Sequence, residues 1–240
     1  MNKDEKPRYI NEDFSDVSTK ELLKSLPPLF DSFANSTSTA YLNWRFDKHT
    51  EIEVQFTNMG HGYFETAIAM IENCIGDSYS KKRDVWIFPI MFNIVHGIEL
   101  YLKGINLTLK KHLCLNYDEE HELKIIGSHD IKQLCNESIA LSRNIQDEEL
   151  KESICNEYKF VRKFIDMIYE KTSDMSFARY PVDNKKKDNH FYAKATDNVT
   201  INLDVLRQWV LRLHQILDNM DYIYYLNDEL LQCMAQLGDY

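Results

Sequence analysis

A chain of 240 residues is long enough to bury one good hydrophobic core. Its formal net charge of −10 excludes broad electrostatic capture of a nucleic-acid backbone, which needs a basic face, so any such contact has to be local. Seven glycines and five prolines fall well below the roughly 7% and 5% of average usage, which leaves too little punctuation for an all-β fold and favours long helices.

Residues 1–48 read as an N-terminal extension with a short helix from Asp16 to Ser25. Pro27-Pro28 ends it, because proline lacks the backbone donor and clashes with the preceding turn. A polar loop follows at Asn35 to Thr39, and residues 49–240 read as one helical bundle. From Thr50 to Ile75, Ile52, Phe56, Met59, Tyr63, Ala67 and Met70 recur at three- and four-residue steps and predict one buried helix face. Gly60-His-Gly62 weakens the middle of that helix. The next helix, about Asp84 to Leu113, is the expected central element, with Ile87, Ile90, Ile94, Ile98, Leu102, Ile105 and Leu109 as its stripe and Pro89 in its first turns.

An acidic connector around Asp118-Glu-Glu120 and a turn at Gly127-Ser128 lead to a helix from near Asp130 to Asn144, for which Ser128 or His129 is the expected cap. Two further helices are predicted with clean three- and four-residue spacing. One spans Asp147 to Lys171 with Ile154, Tyr158, Val161, Ile165 and Ile168; the other spans Leu203 to Met234 with Leu203, Leu206, Val210, Leu213, Leu217 and Met220. Residues 172–201 between them form the one long irregular stretch, and loops of that length are usually functional or disordered.

Cys74, Cys114, Cys135, Cys155 and Cys233 lie on apolar stretches without close paired spacing, which fits small buried hydrophobes in a reducing compartment rather than disulfides or a zinc knuckle. The sequence has no His-x-x-x-His pair, clustered cysteine ligands, glycine-rich phosphate loop or serine elbow, so no metal and no cofactor is expected. The first residues are too charged for a signal peptide. The longest apolar run, Val85 to Val95, is broken by Pro89 and Asn93 and falls short of a bilayer span. A soluble, cytoplasmic protein without a membrane partner is the expectation.

His96, Glu99 and Lys103 stand at steps of three and four, so they share one helix face. Taken alone they are a surface Glu99–Lys103 pair worth about 0.3–0.5 kcal/mol with His96 at its margin. Their company gives a second reading. The Glu99-x-x-x-Lys103 helix is followed in order by His129-Asp130-Ile131, with Leu134 beyond, and by Arg179-Tyr180-Pro181 with Asp183. This series resembles the signposts of the HEPN family, helical domains named for nucleotide binding in higher eukaryotes and prokaryotes, and specifically a branch similar to the C-terminal domain of sacsin. The resemblance covers about 150 residues and does not reach the first 80.

The resemblance implies an all-α, HEPN-like bundle of long antiparallel helices, a homodimer, and contact with RNA or a nucleotide. His129 at a helix start and Arg179 on a proline-stiffened loop would supply donors to an anion, with Tyr180 as a ring for stacking on a base. His96, Glu99, Lys103 and Asp130 complete the expected binding site. In the structural alternative, Arg179 pairs with Asp130 or Glu99 and pins the long loop, and Tyr180 is a packed plug. Lys185-Lys186-Lys187 is either a local basic contact or a solvated surface.

Many catalytic members of the family cleave RNA without metal, using an arginine followed after about four to six residues by a histidine. Arg207 and His214 fit that spacing and share a helix face about two turns apart. Their chemistry would be charge stabilisation by the guanidinium and acid–base work by the imidazole. The resemblance therefore implies a metal-independent endoribonuclease of a bacterial or phage-conflict defence or toxin system, with a cognate partner protein or antitoxin. The alternative is a catalytically inactive helical adaptor that binds a partner protein or nucleotide through the same groove. The expected geometry is one hollow lined by His129, Glu99, Lys103 and Arg179.

Overall fold

Seven α-helices and one 3-10 turn, without a strand, make up the described residues of the computed structural model. These residues are 18–25, 40–42, 50–77, 81–112, 119–172, 175–181 and 199–238, with the backbone alone described over 225–238. Pro27-Pro28, the Asn35 to Thr39 loop, Asp183 and Lys185-Lys186-Lys187 lie outside them. The chain divides into two units, residues 1–42 and 43–240. In the first, helix α1 (Thr19–Ser25) begins at a capping box. Ser18 Oγ accepts from the Glu21 amide, and the Glu21 carboxylate accepts from the Ser18 amide.

The second unit holds α2 (Ile52–Ile75), α3 (Lys82–His112), α4 (Glu119–Gly127), α5 (Ile131–Ser142), α6 (Glu148–Tyr169), the 3-10 turn Met175–Ala178 and α7 (Leu203–Gly238). The α3 helix is the hub, packed by α2, α5, α7 and the 3-10 turn. Its expected stripe is buried from Ile90 through Leu109 because neighbours cover it on several sides. By length and mean hydropathy, 1.5 over its best window, α3 could cross a membrane, which the broken run from Val85 to Val95 had not suggested. That apolar character belongs to its place inside the bundle.

Close approach of α2 and α3 is made by glycines. A Cβ on Gly60 would meet the Tyr101 ring at 2.8 Å, one on Gly97 would meet the Phe64 ring at 2.8 Å, and one on Gly104 would meet the Glu53 carbonyl oxygen at 2.8 Å. The order of these contacts makes the two helices antiparallel. Gly60-His-Gly62 therefore does not interrupt α2, and Gly60 is where α3 comes in. The buried face of α2 is rotated from the expected one: Thr57, Gly60, Phe64, Ala67, Ile71 and Cys74 face inward, while Met59 is exposed. A pattern search that ignores glycine misplaces the seam, because the smallest residue marks the tightest contact.

Three local expectations need correction. The acidic connector is a helix, α4, whose Glu119, Glu120 and Glu122 occupy the first turn, where carboxylates favour the positive end of the helix dipole. The cap of α5 is Asp130, not Ser128 or His129; its Oδ1 accepts from the Lys132 and Gln133 amides at 2.9 and 3.0 Å. The helix α7 runs beyond Met234 to Gly238. Elsewhere the periodicity holds. Ile154, Tyr158, Val161, Ile165 and Ile168 of α6 are buried, as are Leu206, Val210, Leu213, Leu217 and Met220 of α7. Cys74 and Cys135 are free thiols inside this core.

Candidate functional site

Two polar clusters flank α3, a buried one on one side and a half-exposed one on the other. The first is centred on Glu99, which is 7% exposed, beside Lys103, 3% exposed. Lys103 Nζ donates to Glu99 Oε1 at 2.8 Å, and His129 Nδ1, from the turn before α5, lies 3.0 Å from the same oxygen. His96 Nδ1 stands 3.9 Å from Oε2. The surface-pair reading of Glu99 and Lys103 therefore fails: α5 and the residues leading into it cover that face of α3.

Burial by itself would raise the Glu99 carboxyl, but the nearby His96 imidazole, hydrogen bonds from Lys103 and His129 and the charge of Lys103 outweigh it and hold the group down at about 2. An ionised carboxylate only accepts, so His129 carries its proton on Nδ1 toward Glu99 and turns Nε2 outward. The His129 side chain is 80% exposed. One buried carboxylate thus orients two imidazoles, and one of them presents its free edge to solvent. His96 is held on its flat faces as well, stacked on Phe92 and edge-on to Tyr63.

Asp130 follows His129 in the chain but is turned to the helix start, where it also accepts from the Tyr169 hydroxyl at 3.3 Å. By taking up the α5 amides it removes the anion-binding role expected of that helix end. The Arg-Tyr-Pro segment is arranged differently from either expectation. Phe177 and Ala178 of the 3-10 turn are buried and pack toward α3, while Tyr180 is exposed and is not a plug. Arg179 forms no ion pair with Asp130 or Glu99 and instead lies 5.6 Å from the Tyr180 ring centroid. Of the expected group, His129, Glu99 and Lys103 converge, joined by His96 and without a direct contact from Arg179.

Arg207 and His214 both face α2, but each is engaged separately. Two guanidinium nitrogens of Arg207 donate to Glu72 Oε1, at 3.1 and 2.7 Å. His214 Nε2 lies 3.0 Å from His61 Nδ1, with its ring stacked on Phe64. Burial, then the neighbouring His61, lowers the His214 pKa from its ordinary value. Asp218, one turn further along α7, accepts from the Tyr101 hydroxyl at 2.9 Å. Burial and then the Asp218 charge push the Tyr101 phenol upward. Burial also pushes Asp221 up to about 6, with a Thr57 hydrogen bond opposing and the charges of Asp218 and Glu53 adding to it.

Sequence reasoning singled out His214 and missed His61, Glu65, Tyr101 and Asp218. A partial signal existed in His61-x-x-x-Glu65 and His214-x-x-x-Asp218, two histidine–carboxylate pairs at one-turn spacing. Nothing local shows that the two turns meet, since 153 residues separate the histidines. No protein-family profile, curated protein or solved structure matches the chain.

Proposed function

We propose that this chain is a HEPN-like helical protein that contacts RNA or a nucleotide at the corner where His129 meets α3. The observation that carries this reading is the convergence of Glu99, Lys103 and His129, residues of two separate signposts, on one buried carboxylate with an exposed imidazole edge. Anchored by Glu99, His129 has the arrangement of an acid–base histidine: Nδ1–H on a carboxylate and Nε2 toward the reacting group. His96, on the other oxygen of Glu99, is the second imidazole that metal-free RNA cleavage calls for, one ring taking the 2′-hydroxyl proton and the other protonating the leaving oxygen. Arg179 and the exposed Tyr180 would add charge and a stacking ring from the adjoining turn. The finer proposal is a metal-independent endoribonuclease of a defence or toxin system, acting as a homodimer.

A second reading, the catalytically inactive adaptor, draws on a specific observation. Arg207 is tied to Glu72 and His214 to His61, so the pair expected to cleave is occupied by partners within the same chain. Purified protein incubated with labelled RNA in excess EDTA separates the readings. Cleavage that is lost in His129→Ala and retained in Arg207→Ala places the chemistry at His129. Cleavage lost only in Arg207→Ala or His214→Ala moves it to α7. RNA or nucleotide binding without cleavage, weakened by His129→Ala, leaves the adaptor, and absence of both binding and cleavage refutes the RNA reading.

A further inference from the structure

The second cluster does something the first does not: it gathers lone pairs. Glu65 Oε1 lies 3.4 Å from His61 Nε2, and in the tautomer that places the ring proton on that nitrogen the carboxylate is its nearest acceptor. The opposite nitrogen, Nδ1, then presents a lone pair. It faces His214 Nε2 at 3.0 Å and Asp218 Oδ1 at 3.7 Å, and the donor atoms of the three residues all lie within 4.8 Å of one another. A single shared proton can bridge the two imidazoles, but it leaves the Asp218 oxygen directed at an electron pair. Among the described residues, no lysine or arginine pairs with Glu65, Asp218 or Asp221. The corner therefore holds three carboxylates and two imidazoles without a fixed cation.

We propose that His61, His214 and Asp218 form a binding site for a divalent transition-metal ion, with Zn2+ the best match to two imidazoles and one carboxylate. Tetrahedral ligands about 2.0–2.1 Å from zinc sit about 3.3 Å from one another, and the observed 3.0 and 3.7 Å bracket that spacing. Each ligand already has a neighbour beside it. Glu65 lies 3.4 Å from the far nitrogen of His61, the Tyr101 hydroxyl donates to Asp218 Oδ1, and the Phe64 ring lies parallel to His214 at 5.1 Å between centroids. A cleft of about 320 Å³ lined by Asp218, Asn219, Asp221 and Tyr222 shares Asp218 with the site. This site is independent of the RNA reading, and it withdraws His214 from acid–base work because the ion takes its Nε2 lone pair.

The test is titration of the full chain, stripped with EDTA and dialysed, with ZnCl2 against a chromophoric chelator, together with the visible spectrum after Co2+ substitution. The expected result is one equivalent bound with Kd below about 10 µM and the intense bands of a tetrahedral cobalt site. His61→Ala and Asp218→Asn abolish both signals, while His121→Ala, at an exposed histidine on α4, binds like the parent. Circular dichroism of the metal-free variants checks folding. Should a ligand variant fail to fold, Glu65→Gln decides: it leaves the three ligands in place and weakens Zn2+ about 10–100-fold at unchanged stoichiometry. No binding by the parent, equal binding by a folded His61→Ala variant, or unchanged affinity in Glu65→Gln overturns the site.

Discussion

Removing one member of the Glu99–Lys103 pair strands the other in a place that water barely reaches. The side chains are 10% and 4% exposed and meet at 2.8 Å. In Glu99→Leu the Lys103 ammonium keeps, among the described residues, the Phe56 ring 5.9 Å from its centroid, and the expected loss is about 3–5 kcal/mol. In Lys103→Met the carboxylate keeps the hydrogen bond from His129 and has His96 nearby, so the expected loss is smaller, about 2–3 kcal/mol. Replacing both groups restores an apolar wall of similar volume, and the double variant should fall within about 1 kcal/mol of the parent. Urea unfolding of the four proteins at pH 7, with matching m-values, measures the cycle. A coupling above about 3 kcal/mol is expected; single losses below about 1 kcal/mol that simply add would refute a desolvated pair.

The same carboxylate sets an acid limit. Its folded-state pKa is about 2 against an ordinary 4.5, so its contribution is fully present above pH 4.5 and is lost as the pH falls toward 2. At 1.36 kcal/mol per pH unit the difference corresponds to at most about 3 kcal/mol. The double variant should therefore have a flatter acid limb than the parent.

The remaining expectations concern packing. Gly104→Ala drives a Cβ to 2.8 Å from the Glu53 carbonyl oxygen and should cost about 1–3 kcal/mol, whereas Gly62→Ala meets nothing within 4 Å and should gain about 0.5–1 kcal/mol from helix propensity. Thermal melts of the two variants moving in the same direction would refute the glycine seam. The Tyr158 hydroxyl is buried beside those of Ser138, Ser142 and Tyr224 but makes no well-formed hydrogen bond among the described residues, so Tyr158→Phe should hold or raise stability by up to about 1 kcal/mol. A loss above about 0.5 kcal/mol in urea would mean that the hydroxyl is bonded after all.

Periodicity was enough to place the long helices, because apolar side chains mark the single buried stripe of α6 and of α7 and the main stripe of α3, which neighbours also cover on its other sides. It failed on α2, where the seam is set by Gly60 and by Thr57, residues that hydrophobicity does not score. It failed again at residues 119–127, where charge in a first helical turn looks like a loop unless the dipole is considered. The Glu99 cluster was legible in part: the i, i+4 spacing gave Glu99 and Lys103, and the helix start gave His129. Burial of the pair was not legible, since the covering elements arrive about 30 residues later. Arg179 was placed in the hollow by its motif alone, and motif order says nothing about direction. The His61–His214–Asp218 group was the least visible, because its halves lie on α2 and α7 and only tertiary packing brings them together.

The geometry of α3 explains why two polar sites can coexist in one core. At 100° per residue, Glu99 and Lys103 lie on nearly one line of the helix, while Tyr101, halfway between them in sequence, points about 200° away from each. Glu99 and Lys103 therefore face α5, and Tyr101 faces α7, where it backs Asp218. Between the sites runs the apolar stripe of Ile94, Ile98, Leu102 and Ile105, all fully buried, which keeps water and charge from one cluster out of the other. An alternation of charged, aromatic and charged residues that reads as noise at helical period is thus two separate instructions, one for each neighbour. Chemistry assigned to the His129 corner does not require metal at the His61 corner, and a ligand bound at one need not displace the side chains of the other.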